Sequence, residues 1–285
     1  QKTAYEIKEC DWSSDVCSSD LRSKTRSMKN TLREYQTFFK EFRQTFHTTG
    51  AIAPSGRALC RAVVKPMSRH TEPVRILEVG AGTGAATREI VKHVRPGDWF
   101  DMVELNTRFV ETLQRRFETE PDFQRVASQS HILHCAVQQL PTDQKYDFII
   151  CGVPFNNFPV SLVKEILRHM AKLLKPGGTL SFFEYVWIRR FKALVANRDE
   201  RRRLNSVGRI LDTYLARYEF HCDTAWINFP PAMAHHLRLS PASQEGGVPG
   251  ERQGDSSQHV LRAGDTRSQS PPHLERQRAN SDESA

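Results

Sequence analysis

A glycine-rich turn between a predicted strand and a predicted helix constrains the fold of this chain more than any other feature. The stretch reads ILEVGAGTGAATREIV over residues 76–91, so that an apolar run enters Gly80 and a helical pattern follows Gly84. Glycine lets the backbone bend sharply and approach a bound group closely. A strand-to-helix turn of this kind is typical of nucleotide and dinucleotide sites. The turn therefore predicts an α/β fold with a ligand site where this strand ends.

Strand-like and helix-like segments alternate from Arg75 onward. The strand candidates are VRILEV, WFDMVEL, HILHC, YDFIIC and TLSFFEYV, and the helix candidates are AATREIVKHV, TRFVETLQRRFE and SLVKEILRHMAKLL. Parallel strands need crossover connections, which helices usually supply. Two later strand candidates, YEFHCD and AWINF, follow a charged helical stretch near 189–217 and end at Pro230-Pro231. We therefore predict a mostly parallel sheet that is flanked by helices and carries an antiparallel edge hairpin.

Both ends of the chain differ in composition from its centre. CDWSSDVCSSDL, residues 10–21, has no helical or strand period. A nucleotide string that encodes DWSSDVCSSDL resembles a widely used sequencing adapter, so we predict that residues 1–21 are a translated library scar outside the fold. Residues 241–285 contain no aromatic residue, which predicts a disordered tail. Between them lie a basic N-terminal helix and loop, 22–56, and a domain at 57–240.

The charge and the cysteines limit the classes of partner and of site. The chain has 41 Lys and Arg against 33 Asp and Glu, and both end segments are more acidic than basic. The basic surplus of the centre predicts a polyanionic partner, either nucleic acid or an anionic lipid surface. No apolar run reaches the length of a membrane span, so membrane contact is expected to be peripheral. The four cysteines outside residues 1–21 form no C-x-x-C pattern, and the His235-His236 pair lacks a third ligand at suitable spacing. We therefore predict reduced thiols in a cytoplasmic protein and no metal site.

Two acidic residues accompany the glycine turn. Glu78 lies near the end of the first strand, and Glu104 ends the second, where an acid can accept both hydroxyl groups of a ribose. The pattern E-x-G-x-G-T-G with this second acid resembles the class I S-adenosylmethionine-dependent methyltransferases. A dehydrogenase, the main alternative, would need G-x-G-x-x-G, and Ala85 stands at its last position.

The resemblance implies a Rossmann-like, seven-stranded methyltransferase sheet and S-adenosyl-L-methionine as the cofactor. It implies a cofactor site made of Glu78, Gly80, Ala81, Gly82, Thr83, Gly84, Glu104, Leu105 and Gly152. Many relatives carry an acid after the third strand that binds the adenine amine. This chain has Cys135 and its neighbours there, so adenine recognition is expected to use backbone groups or Gln138.

The segment GVPFNNFP, residues 152–159, lies where amine-methylating relatives carry their acceptor motif. Adenine methyltransferases begin this motif with a polar side chain, whereas this chain has Gly152, which disfavours a nucleic-acid substrate. Together with F-F…T-G-A-I-x-P-S at 38–55 and N-x-P-P-A at 228–232, the segment resembles the bacterial phospholipid N-methyltransferases, which methylate phosphatidylethanolamine and are similar to ribosomal RNA adenine dimethyltransferases. The implied substrate-binding residues are Gly50, Ser55, Pro154, Phe155, Asn156 and Phe158.

A lipid amine sets a chemical requirement on such a site. A primary ammonium group is mostly protonated at neutral pH, so the site must remove a proton before the nitrogen can react. Glu184 and Tyr185 at the end of the fifth strand are the candidate bases, with Asn157 orienting the nitrogen; a surface carboxylate and a core ring are the alternatives. Aromatic rings, among them Trp187, are candidates for a cage around the methylated cation.

Two basic segments provide candidate contacts to a membrane. Apolar residues from Met28 to Phe46 recur at helical spacing beside a basic face, which suits either the interface of an anionic bilayer or a lid on the domain. The run at 189–203 suits a solvated helix face, lipid phosphates or an RNA backbone equally. The prediction is a peripheral enzyme of the inner membrane face that methylates phosphatidylethanolamine or its methylated derivatives. An rRNA adenine N6-methyltransferase or another amine methyltransferase is the alternative enzyme, and a cofactor-binding adaptor is the non-enzymatic alternative.

Overall fold

The computed structural model describes residues 6–8, 56–186, 197–226 and 231–239, which all lie in one compact unit, Gln1–Gly247. The strands are β1 (Glu6–Lys8), β2 (Arg75–Val79), β3 (Trp99–Val103), β4 (Ser130–Leu133), β5 (Tyr146–Cys151), β6 (Leu174–Tyr185), β7 (Glu219–Ala225) and β8 (Ala232–Arg238). The α-helices are α1 (Arg57–Val64), α2 (Thr87–Ile90), α3 (Thr107–Thr119), α4 (Pro121–Gln124), α5 (Val160–Leu173) and α6 (Arg198–Tyr218). Short 3-10 turns cover Lys65–Arg69, Ala127–Gln129, Val137–Gln139 and Phe155–Asn157.

All described strands form one sheet in the order β1-β4-β3-β2-β5-β6-β8-β7. The strands from β1 to β6 pair in parallel, and β8 pairs antiparallel with both β6 and β7. This confirms the mostly parallel, Rossmann-like sheet with an antiparallel edge hairpin. Beyond the seven expected strands, Glu6–Lys8 adds three residues beside β4, within the segment that the sequence reading placed outside the fold. An open sheet edge presents unpaired N–H and C=O groups, so a short extended segment of almost any sequence can pair there.

The last strand lies after the two consecutive prolines, which corrects the prediction that it lies at 225–229. Strand β7 ends at Ala225, and its partner β8 begins at Ala232. Proline has no N–H to donate to a ladder, so regular pairing resumes only after Pro231. The predicted strand AWINF shares only Ala225 with β7, and residues 227–230 lie outside the described residues.

Helices cover both faces of the sheet, as buried parallel strands require. Helices α5 and α6 pack on one face, around Val163, Ile166, Val207 and Leu211. On the other face, α1 to α4 pack around a second cluster that includes Leu59, Ile90, Leu113 and Phe123. The four cysteines of the described residues are free thiols, and Cys60, Cys135 and Cys151 are buried.

The order in which the chain adds parallel strands to the sheet reverses direction at β2. The chain proceeds from β2 outward to β3 and β4, and then returns to place β5 on the opposite side of β2. In open α/β sheets, ligands bind in the crevice at the carboxyl ends of the strands at such a switch point. The fold therefore places the candidate site where β2 runs into Gly80 and β5 runs into Gly152.

Candidate functional site

Two glycines allow the backbones after β2 and β5 to lie against each other. The Gly152 amide donates to the Val79 carbonyl at 2.8 Å, and the Gly80 amide donates to the Val103 carbonyl at 2.9 Å. A Cβ atom added at Gly152 would lie 2.8 Å from the Gly80 carbonyl oxygen, and one added at Gly80 would lie 2.9 Å from the Val153 side chain. Real Cβ atoms do not approach other atoms so closely, so only glycine keeps this crevice open to a ligand.

The loop between β2 and α2 follows a backbone path that favours glycine. Gly80, Gly82 and Gly84 have φ angles of 74°, 57° and 82°, in the region that L side chains rarely adopt. Thr83, between them, is exposed, whereas Ala81 packs into the core below the loop. The helix that follows is only Thr87–Ile90, so the loop backbone rather than a long helix provides the binding surface.

Glu104 ties the middle of this loop to the end of β3. Its two carboxylate oxygens accept from the backbone amides of Gly82 and Asn106, each at 2.8 Å. Burial raises the pKa of Glu104, and the backbone donors oppose this shift because they stabilise the charged form. Each carboxylate oxygen has a further lone pair, so the group can hold the loop and still accept from ribose hydroxyls.

Glu78 lies beneath the loop and supports α2. It is 1% exposed, and its Oε2 atom accepts from the Thr87 hydroxyl at 2.7 Å. Burial, the largest cause, and the neighbouring Glu104 charge together raise the pKa of Glu78 to about 8, against the opposing effect of the Thr87 bond. The contacts of Glu78 therefore support the shape of the loop.

The segment after β4 leaves the sheet at the same end as the glycine loop, because β4 is the parallel neighbour of β3. The Leu105 carbonyl lies 3.2 Å from the His134 Nε2 atom, which joins the ends of β3 and β4. The amide of Ala136 donates to the Gln139 side chain at 2.7 Å. The Oε1 atom of Gln138 is buried without a hydrogen-bond partner among the residues that the structure describes. Such an orphaned acceptor fits a ligand N–H such as the adenine amine.

The acceptor segment after β5 folds as a tight 3-10 turn, Phe155–Asn157, following Pro154. Phe155 and Phe158 are 4% and 1% exposed, and the Phe155 ring packs edge-on against Phe182. The sequence reading expected both rings to contact substrate. In the structure both rings belong to the core cluster and form the apolar base of the turn, and their contact with a substrate stays a prediction.

The turn carries two neighbouring asparagines. The Asn156 Oδ1 atom is buried and has no hydrogen-bond partner within the described part of the chain. Asn157 is also buried, and its backbone amide donates to the Pro154 carbonyl at 3.0 Å. The turn thus presents a buried, unpaired amide oxygen at the edge of the sheet where the cofactor loop lies.

The two candidate bases lie on opposite faces of β6. Successive side chains of a strand alternate between faces, and Tyr185 packs edge-on against Phe183 of the second cluster, towards α1. Glu184 shares the opposite face with Phe182, and its Oε2 atom lies 4.0 Å from His235 Nε2. Only Glu184 therefore shares a face with the acceptor turn.

Other predicted contacts fall outside the described residues. These are Gly50, Ser55, Trp187 and the basic amphipathic helix within 22–56. The run 189–203 lies partly within α6, where Arg203 donates from Nη1 to the Phe158 carbonyl at 2.6 Å. Sequence reasoning missed this contact, because an arginine in a charged helix gives no signal of a carbonyl partner elsewhere in the chain.

The structure also brings together a group of metal-ligand types that the sequence reading had dismissed. Ligating atoms of Glu219, Cys222 and His235 lie within 4.8 Å of one another, because β7 supplies partners that His235 lacks along its own strand. Within this group, Glu219 Oε1 lies 2.6 Å from His235 Nδ1.

No span-forming helix occurs within the described ranges, since none is both long enough and apolar enough to cross a bilayer.

Comparison with known proteins agrees with this geometry. Residues 76–178 match the model of a methyltransferase domain. The chain is 28% identical over 158 residues to the ornithine lipid N-methyltransferase of Singulisphaera acidiphila, a match that covers 55% of this chain and 81% of that protein. It is 26% identical over 152 residues to the malonyl-[acyl-carrier protein] O-methyltransferase of Halalkalibacterium halodurans, covering 52% of this chain and 54% of that protein.

A solved structure with a similar fold is the O-methyltransferase TomG of Streptomyces achromogenes in complex with SAM. It has a TM-score of 0.47 and 15% identity, and the alignment covers 65% of this chain and 79% of TomG. The crevice at Gly80 and Gly152, the Glu104 carboxylate and the matched domain together identify the cofactor as S-adenosyl-L-methionine. The chain is therefore an enzyme that carries a class I S-adenosylmethionine-dependent methyltransferase domain.

Proposed function

We propose that this enzyme transfers methyl groups from S-adenosylmethionine to the amine of a membrane lipid, phosphatidylethanolamine or its methylated derivatives. The cofactor supplies an electrophilic methyl group on a sulfonium sulfur. The main support for the proposal is the buried Oδ1 atom of Asn156, which has no hydrogen-bond partner among the described residues and belongs to the turn that follows Gly152. A buried acceptor costs about 1–3 kcal/mol unless a partner supplies a donor. A neutral primary or secondary amine offers that N–H, whereas an ionised carboxylate, the acceptor of many O-methyltransferases, has none.

The amine must lose a proton before it can accept a methyl group. Glu184 is our candidate base, because it lies on the sheet face that also carries Phe182, against which the acceptor turn packs through Phe155. Asn157, which adjoins Asn156 in the same turn, is a candidate to orient the nitrogen. Tyr185 faces the opposite side of β6, so its proposed role is confined to the rim of the site.

Surface residues at the same sheet edge support a lipid as the carrier of the amine. Trp226 follows the end of β7 and is 68% exposed. The first turns of α6 carry Arg198, Arg201 and Arg202 at exposed positions, and Arg203 in the same helix contacts the acceptor turn. Exposed Trp and Arg side chains are residue types that suit the interface of an anionic bilayer. The lipid-methylating relative supports the same substrate class, and we propose peripheral attachment to the cytoplasmic membrane face.

The test offers several acceptors to the full chain with a labelled methyl donor. The acceptors are phosphatidylethanolamine vesicles containing an anionic lipid, the same vesicles with ornithine lipid instead, and ribosomal RNA. We expect label in phosphatidylethanolamine. Label only in ornithine lipid would keep the lipid-amine class and change the headgroup, and label only in RNA would support the rRNA adenine alternative. No label in any of these acceptors would contradict the proposed lipid substrate.

Substitution of Asn156 tests whether its Oδ1 atom binds the substrate amine. We expect Asn156→Ala to lower kcat/KM for the lipid about tenfold, because the substrate loses one hydrogen bond to a buried acceptor. Binding of S-adenosylhomocysteine, measured by calorimetry, should stay within twofold of wild type. Asn205→Ala, on the exposed face of α6, is the matched control. Full activity of the Asn156 variant would contradict the proposed contact.

A further inference from the structure

We propose that Arg203 is a positioning residue that holds the acceptor turn in its active shape. The proposal rests on the proposed function, because it concerns the turn that carries Asn156. From α6, Arg203 donates through Nη1 to the Phe158 carbonyl at 2.6 Å and through Nη2 to the Asn156 carbonyl at 3.0 Å. One guanidinium group thus binds the backbone on both sides of Asn157.

The same guanidinium is itself fixed by a carboxylate one helical turn earlier. Arg203 donates from Nε to Glu200 Oε2 at 2.9 Å and from Nη2 to Glu200 Oε1 at 2.5 Å. The Glu200 amide in turn donates to the side chain of Asn197, which caps the helix. A bidentate pair of this kind holds a planar fork in one orientation, so the two donors that face the turn are fixed before substrate binds.

The helix does not depend on Arg203 for its attachment to the sheet. Its buried apolar residues, Leu204, Val207 and Leu211, are each 0% exposed. The Arg203 side chain keeps 23% of its surface exposed. Removal of the guanidinium should therefore leave α6 packed and release only the carbonyls of the turn.

Loss of the hydrogen bonds to those carbonyls affects methyl transfer through the side chains of Asn156 and Asn157. The backbone dihedrals of Asn156 and Asn157 set the directions of the two amide groups. A turn that samples several conformations presents Asn156 Oδ1 to the substrate amine for only part of the time, and a displacement of about 1 Å at a reacting group lowers rates substantially. The Phe155 and Phe158 rings anchor the turn from below, and Arg203 anchors it from the side.

Hydrogen exchange tests the clamp without any methyl acceptor. In the full chain, we expect Arg203→Ala to raise the exchange rate of the amides of residues 155–158 about tenfold, because two carbonyls of the turn lose charge-assisted bonds. Arg209→Ala is the matched control; Arg209 is exposed on the same helix and contacts Ser206. Unchanged exchange in the Arg203 variant would overturn the clamp, whichever acceptor the enzyme uses.

Kinetics test whether the clamp serves the acceptor. With the acceptor that wild type labels, we expect Arg203→Ala to lower kcat/KM about tenfold while the Kd for S-adenosylhomocysteine stays within twofold. Arg203→Lys should recover only part of the loss, since an ammonium cannot reproduce the planar fork. A merely structural role would instead weaken cofactor binding and activity together, and that result would overturn the proposal.

A double substitution distinguishes this inference from the proposed function. If Arg203 acts through Asn156, the loss in Arg203→Ala/Asn156→Ala should be smaller than the product of the single losses. Independent effects would show that Arg203 does not work through Asn156. Label only in RNA would refute the lipid substrate and still permit both tests of the turn.

Discussion

Gly152 lies where the backbones after β2 and β5 come closest. The sequence alone suggested that a polar acceptor of adenine methyltransferases is missing at this position. The structure adds a steric reason for glycine at this position, because the Gly80 carbonyl oxygen would lie 2.8 Å from any Cβ at residue 152. That contact joins segments far apart in the chain, so no local pattern predicts it. Gly152 therefore keeps the cofactor crevice open in addition to leaving the acceptor site without a side chain.

Gly152→Ala should weaken cofactor binding at least tenfold. The added methyl group must push the Gly80 carbonyl away, and Gly80 begins the loop that holds the cofactor. Gly177→Ala is the control, since Gly177 has a φ of 78° but nothing within 4 Å of an added Cβ. It should cost about 1 kcal/mol of stability through backbone strain and leave the Kd for S-adenosylhomocysteine unchanged in calorimetry. Equal affinities for both variants would contradict the steric account.

At the scale of the elements, sequence periodicity predicted most of the sheet. The five parallel strand candidates and the glycine loop follow local rules of alternation and turn chemistry, and Glu104 was predicted from its place at the end of the second strand. The last strand was misplaced, because AWINF is rich in strand-forming apolar residues but precedes the prolines, whereas β8 begins after them. The orphaned oxygen of Asn156 and the Arg203 clamp could not be predicted, because both depend on contacts between distant segments.

A network of side-chain hydrogen bonds joins the parallel strands at the end of the sheet opposite the candidate site. Tyr146 of β5 donates to Asp101 of β3 at 2.7 Å, across the intervening β2. The other Asp101 oxygen accepts from the indole N–H of Trp99 at 2.8 Å and lies 3.0 Å from the His131 ring. This network joins β3 and β5, the two strands that flank β2. It lies at the end of the sheet opposite the candidate site.

Tyr146→Phe should lower the free energy of unfolding by about 1–2 kcal/mol, the cost of leaving a buried carboxylate with one partner fewer. Affinity for S-adenosylhomocysteine should not change, because the site lies at the carboxyl ends of the strands. Tyr218→Phe at the partly exposed end of α6 is the matched control. Denaturant titration and calorimetry measure the two quantities. A loss of cofactor affinity in Tyr146→Phe would show that the network also shapes the site.

At the scale of the whole molecule, a carboxyl group buried under the cofactor loop makes stability depend on pH. Burial raises the pKa of Glu78 from an ordinary 4.5 to about 8 in the folded protein. Between these values the folded state keeps a proton that the unfolded state has released. The Glu78 contribution to stability therefore falls as pH rises from about 4.5 to about 8 and is constant outside this range.

Glu78→Gln should remove this contribution. We expect the Tm of the variant to rise relative to that of wild type as pH increases from about 5 to about 8, because glutamine carries no charge to bury. Thermal unfolding of the ligand-free protein over this range measures the difference. A constant difference between the two proteins at all pH values would show that Glu78 does not titrate there.

The central claim is that the switch-point crevice holds the methyl donor next to the unpaired amide oxygen of Asn156. The most direct test is a crystal structure of the full chain with S-adenosylhomocysteine. We expect the loop from Gly80 to Gly84 and the Glu104 carboxylate to contact the ligand, with the sulfur facing the Phe155–Asn157 turn. A ligand bound elsewhere, or a sulfur that faces packed core with no route to Asn156, would contradict it.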